Sequence, residues 1–588
     1  MRTACIALAL TLLAPPGTPA QGRSVQDFFR DFTAEWIRGN PSQAVATRFF
    51  TGEEQARFER QLTPETPAWR QSRVQLARRG LMELGRFDRA RMTEVDRTSA
   101  DILQWQLDTM VKSDPYADYT FPLEQFAGVN VNLVAILTVS HPMITDRDAA
   151  NYVARLGLVG TRMGEAVADA RRLAAKNMIP PRFILLATIT QMKQFVGPLP
   201  ADNPFVATFA ERMKSIPTLT DAKRQELRST AEQIVGDDVY PAWQRAIALV
   251  ESLVPRSTDD AGLWRLPGGV EAYADALRRF TTTNLSADQI HEIGLRQVDQ
   301  IEKEMDAILR QLGRTEGSVN SRIERLRTDL AYPLTEDGRR QIMADIDGML
   351  RDAERRAEPL FDRRPKAPVV AQPFPRFREA NAAASYTAPA PDGSRPGTFQ
   401  IPLRVDYMTK FRLRSLVYHE TVPGHHFQIA LELENDAQPR FRRIRAFGGI
   451  SAFSEGWGLY AEHLAAESGW YDGDLEGRLG QLDSELFRAR RLVVDTGLHA
   501  KRWTRQQAID YGLPAAEVER YVVIPGQACS YMVGQLKIIE LRDRAKAGLG
   551  DRFSAKEFHN VVLSTGTAPL DVVERQIDAY VAARLNVN

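Results

Sequence analysis

Residues 290–312, IHEIGLRQVDQIEKEMDAILRQL, carry the pattern that decides the fold. Apolar side chains recur along this stretch every three or four residues, close to the 3.6-residue period of an α-helix. Just before it, Ser286 and Gln289 stand at the spacing of a capping box, in which each side chain accepts a hydrogen bond from the other residue's backbone. The sequence therefore predicts an amphipathic helix that begins after Ser286 and runs to about Leu312.

The same period recurs on both sides of this helix, at 149–176, 184–196, 221–236 and 338–358. Turns are expected between the segments at Pro180-Pro181, at Pro204 and at the LPGG of 266–269. No fixed-period repeat is present, which argues against a solenoid. The pattern predicts a mainly α fold.

The composition of the sequence changes at about residue 360, where the chain becomes rich in proline. Two short strands are expected there, at 368–371 and 398–403, with a loop from 386 feeding the second. The helical pattern resumes near Thr409 and continues almost to the C-terminus. We therefore predict a small β element just before the residues that carry the chemistry.

The overall charge excludes several classes of function. The 588 residues include 76 Lys and Arg against 75 Asp and Glu, a formal net charge of +1. This balance favours neither nucleic acid nor an anionic membrane as a partner. The basic run RFRRIR at 440–445 is accordingly interpreted as a solvated face.

The N-terminus has the layout of a secretory signal peptide. Arg2 precedes the apolar run ACIALALTLLA at 4–14, which is followed by Pro-Pro-Gly and by small residues up to Ala20. The run is too short to span a bilayer, which takes about 20 apolar residues. We predict cleavage near Ala20, export to the periplasm or the medium, and no transmembrane segment in the mature chain.

Cysteine use fits this interpretation. Cys5 lies inside the apolar run, too early for a lipid-anchor cysteine, and would leave with the signal peptide. The mature chain then holds only Cys529, so no intramolecular disulfide can form. Cys529 is expected to be a small buried hydrophobe.

Histidine marks the candidate site. Three of the eight His fall in HETVPGHH, His419 to His426. In H-E-x-x-H zinc hydrolases, two His on one helical face bind the metal and the Glu acts as base; here Glu420 would be that base. The spacing is stretched, but Pro423-Gly424 predicts a bulge or wide turn. If this turn takes up the two residues by which His425 exceeds the H-E-x-x-H spacing, His425 becomes the second ligand. His426 would require absorbing three, so the spacing favours His425 and keeps His426 as the alternative.

A third ligand is expected from the helix predicted in GGISAFSEGWGLYAEHLA, 448–465. Glu455 is the candidate, because catalytic zinc has three protein ligands and one open position for water. Glu462 lies two turns further along the same face and could orient a ligating His. The predicted centre is Zn²⁺ bound by His419, His425 and Glu455.

Four stretches together resemble the bacterial family catalogued as domain of unknown function 885: HETVPGHHFQ, SEGWGLYAE, RRLVVDTGLHAKRWTRQQAIDY and PGQACSYMVGQLKIIELR. The resemblance implies a largely helical, gluzincin-like zinc metallopeptidase. In such enzymes a strand edge lies beside the metal helix and holds an extended peptide, and the strand expected at 398–403 precedes that helix at the right place.

Further residues could support the reaction. A tetrahedral oxyanion needs a donor opposite the metal, and His499 and Tyr531, both in the family-like stretches, are the candidates. Arg491 and Arg542 could hold a substrate carboxylate, but an interhelical ion pair is the favoured interpretation of both. The remaining His are expected to be structural or without a recognisable partner: His141, His291, His463 and His559.

We therefore predict an exported zinc-dependent metallopeptidase acting on peptides or small amides. The predicted organisation is a signal peptide at 1–20, a helical region at 21–360 that walls a cleft, and a catalytic metal-binding region at 361–588 continuous with it. The alternatives are a metal-dependent hydrolase of a non-peptide amide or ester, and a catalytically inactive periplasmic binding protein with the same fold. The sequence sets no oligomeric state.

Overall fold

A computed structural model describes residues 23–374, 376–379, 383–390 and 395–586 of the chain. The predicted signal peptide, residues 1–20, lies outside the described residues. Among the helices that are described, none combines the length and the apolar character needed to cross a membrane.

About 70% of the described residues are helical, and the described strands are three and short, which confirms the predicted mainly α fold. The helices that precede the sheet are α1 Val25–Arg38, α2 Pro41–Thr47, α3 Gly52–Phe58, α4 Pro67–Leu84, α5 Glu94–Ser113, α6 Val129–Ala135, α7 Asp146–Leu156, α8 Val159–Ala175, α9 Arg182–Val196, α10 Pro204–Met213, α11 Asp221–Ile234, α12 Tyr240–Leu253, α13 Gly269–Thr281, α14 Ala287–Gln311, α15 Val319–Asp329 and α16 Glu336–Ala357.

Helix α14 is the helix predicted from residues 290–312, and both hydrogen bonds of the Ser286–Gln289 capping box are present. The segment predicted at 149–176 is divided into α7 and α8 near Gly157. Pro204 does not form a turn between helices; it is the first residue of α10, where a helix needs no backbone N–H and the fixed φ of proline is favourable.

The β element is a three-stranded sheet of order β1-β3-β2, with β1 at Val369–Pro373, β2 at Ser385–Thr387 and β3 at Gly397–Ile401. The two predicted strands correspond to β1 and β3, whereas β2 overlaps the start of the loop that the sequence predicts from residue 386. Strand β3 pairs with β1 in parallel and with β2 in antiparallel orientation. Because β3 is paired on both sides, the expectation that 398–403 offers an edge to a peptide is wrong; the outer strands are β1 and β2.

The remaining helices are α17 Arg376–Glu379, α18 Leu413–Glu420, α19 His425–Leu433, α20 Arg440–Arg443, α21 Ser451–Glu467, α22 Leu475–His499, α23 Arg505–Asp510, α24 Ala515–Val523, α25 Ser530–Leu549, α26 Ala555–Thr565 and α27 Leu570–Asn586. Hydrophobic clusters combine side chains from both sides of residue 360. In one of them the rings of Phe29 in α1 and Phe441 in α20 lie 5.3 Å apart. The division at residue 360 stays a prediction.

Candidate metal centre

The predicted interruption after His419 is confirmed. Helix α18 ends at Glu420, Thr421 leaves the helical region with φ −119° and ψ −103°, and α19 begins at His425. A Cβ on residue 424 would lie 2.0 Å from the carbonyl oxygen of His419, so only glycine fits there. The indole N–H of Trp457 in α21 donates to the carbonyl of Pro423 at 2.9 Å and so links the turn to α21.

This turn brings the rings of His419 and His425 together, with centroids 4.7 Å apart and planes at 81°. Oε2 of Glu455 lies 3.6 Å from Nε2 of each ring. One ligand atom of each of the three residues lies within 4.8 Å of the other two. A separation of 3.6 Å is too long for a hydrogen bond, but it is close to the about 3.4 Å that separates two ligands around a tetrahedral zinc with bonds of about 2.0–2.1 Å. The donor set and its spacing fit zinc.

The motif S-E-G-W-G explains how α21 presents Glu455. A Cβ on Gly456 would lie 2.6 Å from the backbone of Gly534, so the two glycines let α21 and α25 cross in direct contact. A Cβ on Gly458 would lie 2.7–3.0 Å from three atoms of the His419 ring. The glycines on either side of Trp457 are therefore required, one by the packing of α25 and the other by the ring of the candidate ligand.

Glu462 occupies the orienting position that its spacing predicts. Its Oε1 accepts a hydrogen bond from Nδ1 of His419 at 2.8 Å, and its other oxygen accepts from the hydroxyl of Ser415. The side chain of Glu462 is fully buried. Because Nδ1 of His419 is held by Glu462, its Nε2 is the nitrogen that faces Glu455, and this is the arrangement by which an outer carboxylate fixes a metal-ligating His.

The charges at this centre favour a cation. Burial alone would lower the pKa of His419, but the carboxylates of Glu455 and Glu462 outweigh it and raise that pKa to about 9. Burial likewise opposes ionisation of Glu455, yet the neighbouring His419 and His425 hold its pKa well below the usual range. Two ionised carboxylates therefore border a cluster of His nitrogens, and a positive charge is stabilised between them.

Glu420 is the last residue of α18 and directly follows His419. It is only 7% exposed. In the described part of the chain its carboxylate makes no hydrogen bond and no ion pair, unlike the carboxylate of Glu462. A carboxylate of a largely buried residue, next to the candidate metal ligands and without a structural partner, is the arrangement expected of a general base.

The structure separates the two alternatives for the second ligand. The ring of His426 points to the sheet, where its Nδ1 is hydrogen-bonded to the hydroxyl of Tyr386 in β2 at 2.9 Å. Burial lowers the pKa of His426 to about 4, and the backbone of Ala367 hydrogen-bonds the ring. His425, not His426, lies against His419 and Glu455. Tyr386 was not predicted, because β2 carries no motif and its contact with His426 forms only in the folded chain.

The two candidate oxyanion donors differ. Tyr531 lies in the first turn of α25 near Glu455; burial and the carboxylate of Glu455 raise the pKa of its phenol. His499, however, is 1% exposed and uses both ring nitrogens on backbone groups, with Nδ1 accepting from Leu263 at 3.1 Å and Nε2 donating to Tyr521 at 3.0 Å. With both nitrogens occupied, His499 cannot donate to an oxyanion, and its predicted role is corrected to a structural one.

The other singled-out residues have structural partners. Arg491 pairs with Glu517 in α24 at 3.0 Å, and Arg542 pairs with Glu467 in α21 at 3.1 Å. These are the interhelical ion pairs that the sequence favours for both arginines. Cys529 is fully buried, and burial raises the pKa of its thiol far above the usual range. The remaining His hydrogen-bond or ion-pair with neighbouring groups: His141 with Asp148 and Arg155, His291 with Thr496, His463 with Glu467 and Glu485, and His559 with Leu360 and Tyr460.

Substituting Gly458 by alanine is expected to weaken zinc binding. The new Cβ would overlap the His419 ring, and overpacking of this kind costs about 1–3 kcal/mol, which we expect to fall on the position of the ring. Zinc affinity measured by chelator competition should drop by about 10-fold or more. Gly348→Ala in α16, where a Cβ meets no atom within 4 Å, is the matched control. Equal affinities for the two variants would show that His419 is not held as described.

Glu462→Gln is expected to lower zinc affinity by about 10–100-fold, the usual effect of losing an outer carboxylate behind a ligating His. Glutamine keeps the shape of the side chain but not the charge that orients Nδ1 of His419. Glu467→Gln, on the same helix but paired with His463 and Arg542, should leave the affinity unchanged. The assignment of Glu462 fails if both variants bind zinc as tightly as the wild type.

Comparisons with known proteins agree with the sequence resemblance. The family model described as "Bacterial protein of unknown function (DUF885)" matches residues 41–577. A comparison with curated proteins gave no match. Among solved structures, the chain is similar to one described as "the putative lipoprotein from Colwellia psychrerythraea", with 31% identity, a TM-score of 0.90, and coverage of 95% of this chain and 100% of that one. It shares the fold of "a putative lipoprotein of unknown function from Shewanella oneidensis", with 18% identity, a TM-score of 0.68, and coverage of 94% and 99%.

Proposed function

The chain belongs to the DUF885 family of bacterial proteins of unknown function, and we propose that it is a zinc-dependent metallopeptidase of gluzincin-like type. One observation supports the proposal above the others. His419, His425 and Glu455 bring three ligand atoms within 4.8 Å of one another, and Glu420 follows His419 directly. Three protein ligands leave one zinc position open, which is typical of catalytic sites, whereas structural sites are closed by four.

The residues present fit zinc, and each has a defined task. His419, His425 and Glu455 would hold the ion, and Glu462 keeps His419 in the orientation that this requires. When bound, zinc supplies a Lewis acid that polarises a carbonyl and makes water acidic near neutral pH. Glu420 takes the proton from the attacking water and then delivers it to the leaving amine.

Substrate can approach from the side of Glu455. The side chains of Glu455 and His425 are 24% and 13% exposed, whereas the side chain of His419 is only 4% exposed. Tyr531 lies at the start of α25 near Glu455, and its phenolic O–H would donate to the oxygen that becomes negative as the carbonyl is attacked. We assign Tyr531 this role and give none to His499.

Export forms part of the proposal. The similar solved structure at 31% identity is described as a "putative lipoprotein", and residues 4–14 of this chain form an apolar run that has the layout of a signal peptide. We therefore place the mature protein outside the cytoplasm. The N-terminal sequence of protein recovered from the periplasmic fraction should begin at or near Gln21.

A peptide library tests the activity. Purified mature protein loaded with one equivalent of zinc is incubated with a mixed peptide library, and products are read by mass spectrometry. We expect cleavage that a chelator abolishes and added zinc restores. Aryl esters and non-peptide amides are assayed in parallel. Zinc-dependent turnover of these compounds alone would replace the peptidase by the second candidate, and no turnover of any substrate would contradict a hydrolytic function.

A further inference from the structure

Two buried arginines and a tyrosine form a cluster beside the candidate metal centre. It consists of Arg488 and Arg491, three residues apart on α22, together with Tyr531 at the start of α25. The guanidinium of Arg491 lies 4.4 Å from the centre of the Tyr531 ring. Nη2 of Arg488 lies 3.7 Å from Oε1 of Glu462, the carboxylate that holds His419. Both arginines therefore lie one side chain away from the proposed ligands.

Arg488 presents an unused hydrogen-bonding edge. It is 9% exposed, and its Nη1 donates to the carbonyl of Ser484 at 3.1 Å. Its buried Nε finds no acceptor among the described residues, and its Nη2 is too far from Glu462 for a hydrogen bond. Nε and Nη2 form the side of the guanidinium that binds a carboxylate through two parallel hydrogen bonds. In Arg505 this same edge is filled, because its Nε and Nη2 both donate to Glu519.

Arg491 also keeps one donor unpaired. Its Nε donates to the hydroxyl of Tyr521 at 3.1 Å, and its Nη2 donates to Glu517 at 3.0 Å. Its Nη1 is buried without an acceptor in the described part of the chain. A buried guanidinium with unused N–H groups is costly unless an acceptor arrives, so these donors favour an anionic ligand.

The acids near these arginines are shared with other groups or serve the candidate metal centre. Glu517 is shared, because it accepts from Arg491 and also from Nη2 of Arg520 at 3.0 Å. Glu462, the acid nearest to Arg488, is already hydrogen-bonded to His419. Arg488, Arg491 and Arg520 thus lie near the carboxylates of Glu455, Glu462 and Glu517, of which the first two serve the candidate metal centre. A further negative charge is stabilised here, and a positive one is repelled.

We propose that Arg488 and Arg491 bind the carboxylate at the C-terminus of a peptide substrate, so that the enzyme removes residues from the C-terminal end. This inference rests on the proposed peptidase function. The cluster selects a carboxylate by charge and by the planar fork of Arg488, and it disfavours the ammonium group that an aminopeptidase must bind. Arg488 and Arg491 act as specificity determinants, while Glu420 remains the base.

Matched peptides test the inference. One peptide is supplied as the free acid, as the C-terminal amide, and as the amide with Glu as the last residue, so that a terminal and a side-chain carboxylate are distinguished. We expect kcat/KM to be about 10–100-fold higher for the free acid than for either amide, the value of a charge-assisted pair. Equal cleavage of acid and plain amide, or preference for the Glu amide, overturns the proposal but leaves the peptidase function standing. No zinc-dependent cleavage of any of the three overturns both.

Arg488→Lys keeps the charge but removes the fork. We expect it to raise KM for the free acid by about 10-fold, with kcat, zinc content and cleavage of the amide unchanged. Arg542→Lys, whose partner is Glu467 on the neighbouring helix, is the matched control and should change none of these values. An Arg488→Lys effect that is equal on acid and amide would show a purely structural role and contradict the proposal.

A binding measurement does not depend on turnover. An N-acetylated dipeptide acid is titrated calorimetrically into zinc-free wild-type protein and into the Arg488→Lys variant. We expect the acid to bind the wild type about 10-fold more tightly than it binds the variant, and more tightly than the corresponding dipeptide amide binds the wild type. If acid and amide bind the wild type alike, the cluster is not a carboxylate site.

Discussion

Replacing Glu420 with glutamine is expected to lower peptide hydrolysis by about 10²–10⁴-fold, the contribution typical of a positioned general base. Glutamine has nearly the same shape but cannot accept a proton at neutral pH. Glu420 makes no side-chain hydrogen bond or ion pair within the described part of the chain, so its charge is not needed to hold α18 in place. The loss should therefore appear in kcat while zinc content and thermal stability remain at wild-type values.

Three measurements on one protein preparation separate this explanation from a damaged site: kcat/KM on a cleaved peptide, zinc per chain and the melting temperature. Glu420→Asp is the companion variant, because it keeps the carboxylate but moves it by one methylene. We expect it to recover part of the activity lost in the glutamine variant. A glutamine variant that stays fully active would mean that another group takes the proton.

The second large expected effect is a difference in zinc affinity between alanine variants of the adjacent His425 and His426. His425→Ala removes one of three ligands, and we expect zinc affinity to fall by several orders of magnitude and hydrolysis to cease. His426→Ala removes a ring that faces Tyr386 and the backbone of Ala367. That variant should keep its zinc and lose mainly packing energy, about 1–3 kcal/mol for a buried hydrogen-bonded group.

Chelator competition measures both variants on the same scale. Tyr386→Phe controls for the partner of His426 and should also retain zinc. If His426→Ala loses zinc and His425→Ala keeps it, the turn at Pro423-Gly424 presents the other ring, and the geometry described for the centre is wrong.

Much of this arrangement follows from local sequence. The period of 290–312 and its capping box predict α14 because a helix is stabilised by contacts between residues three and four apart, which lie in one stretch of chain. The three His of 419–426, Glu420 and the Pro-Gly break point to a metal site for the same reason. Glu462 can be expected seven residues after Glu455, since that spacing keeps both on one helical face.

Other features depend on residues far apart in the chain. Leu263 and Tyr521 fill both nitrogens of His499, so a histidine that resembles a catalytic one is structural. The choice between His425 and His426 depends on backbone angles of the turn that no periodicity predicts. The unused edge of Arg488 is also invisible in the sequence, because the acceptors within reach of a guanidinium are known only when its neighbours are placed.

Gly458 illustrates how the two kinds of information combine. In the sequence it is one glycine in a helical stretch, where it lowers helix stability by about 1 kcal/mol relative to alanine. In the structure the space left by its missing side chain is occupied by the ring of His419. The local cost is therefore offset by a contact 39 residues back in the chain.

Zinc content of the purified mature chain is the decisive measurement, made by mass spectrometry of the metal on wild type, His425→Ala and His426→Ala together. We predict about one zinc per chain in the wild type and in His426→Ala, and well below one in His425→Ala. Zinc far below one per chain in the wild type, with no further loss in either variant, would contradict a metal centre at His419, His425 and Glu455.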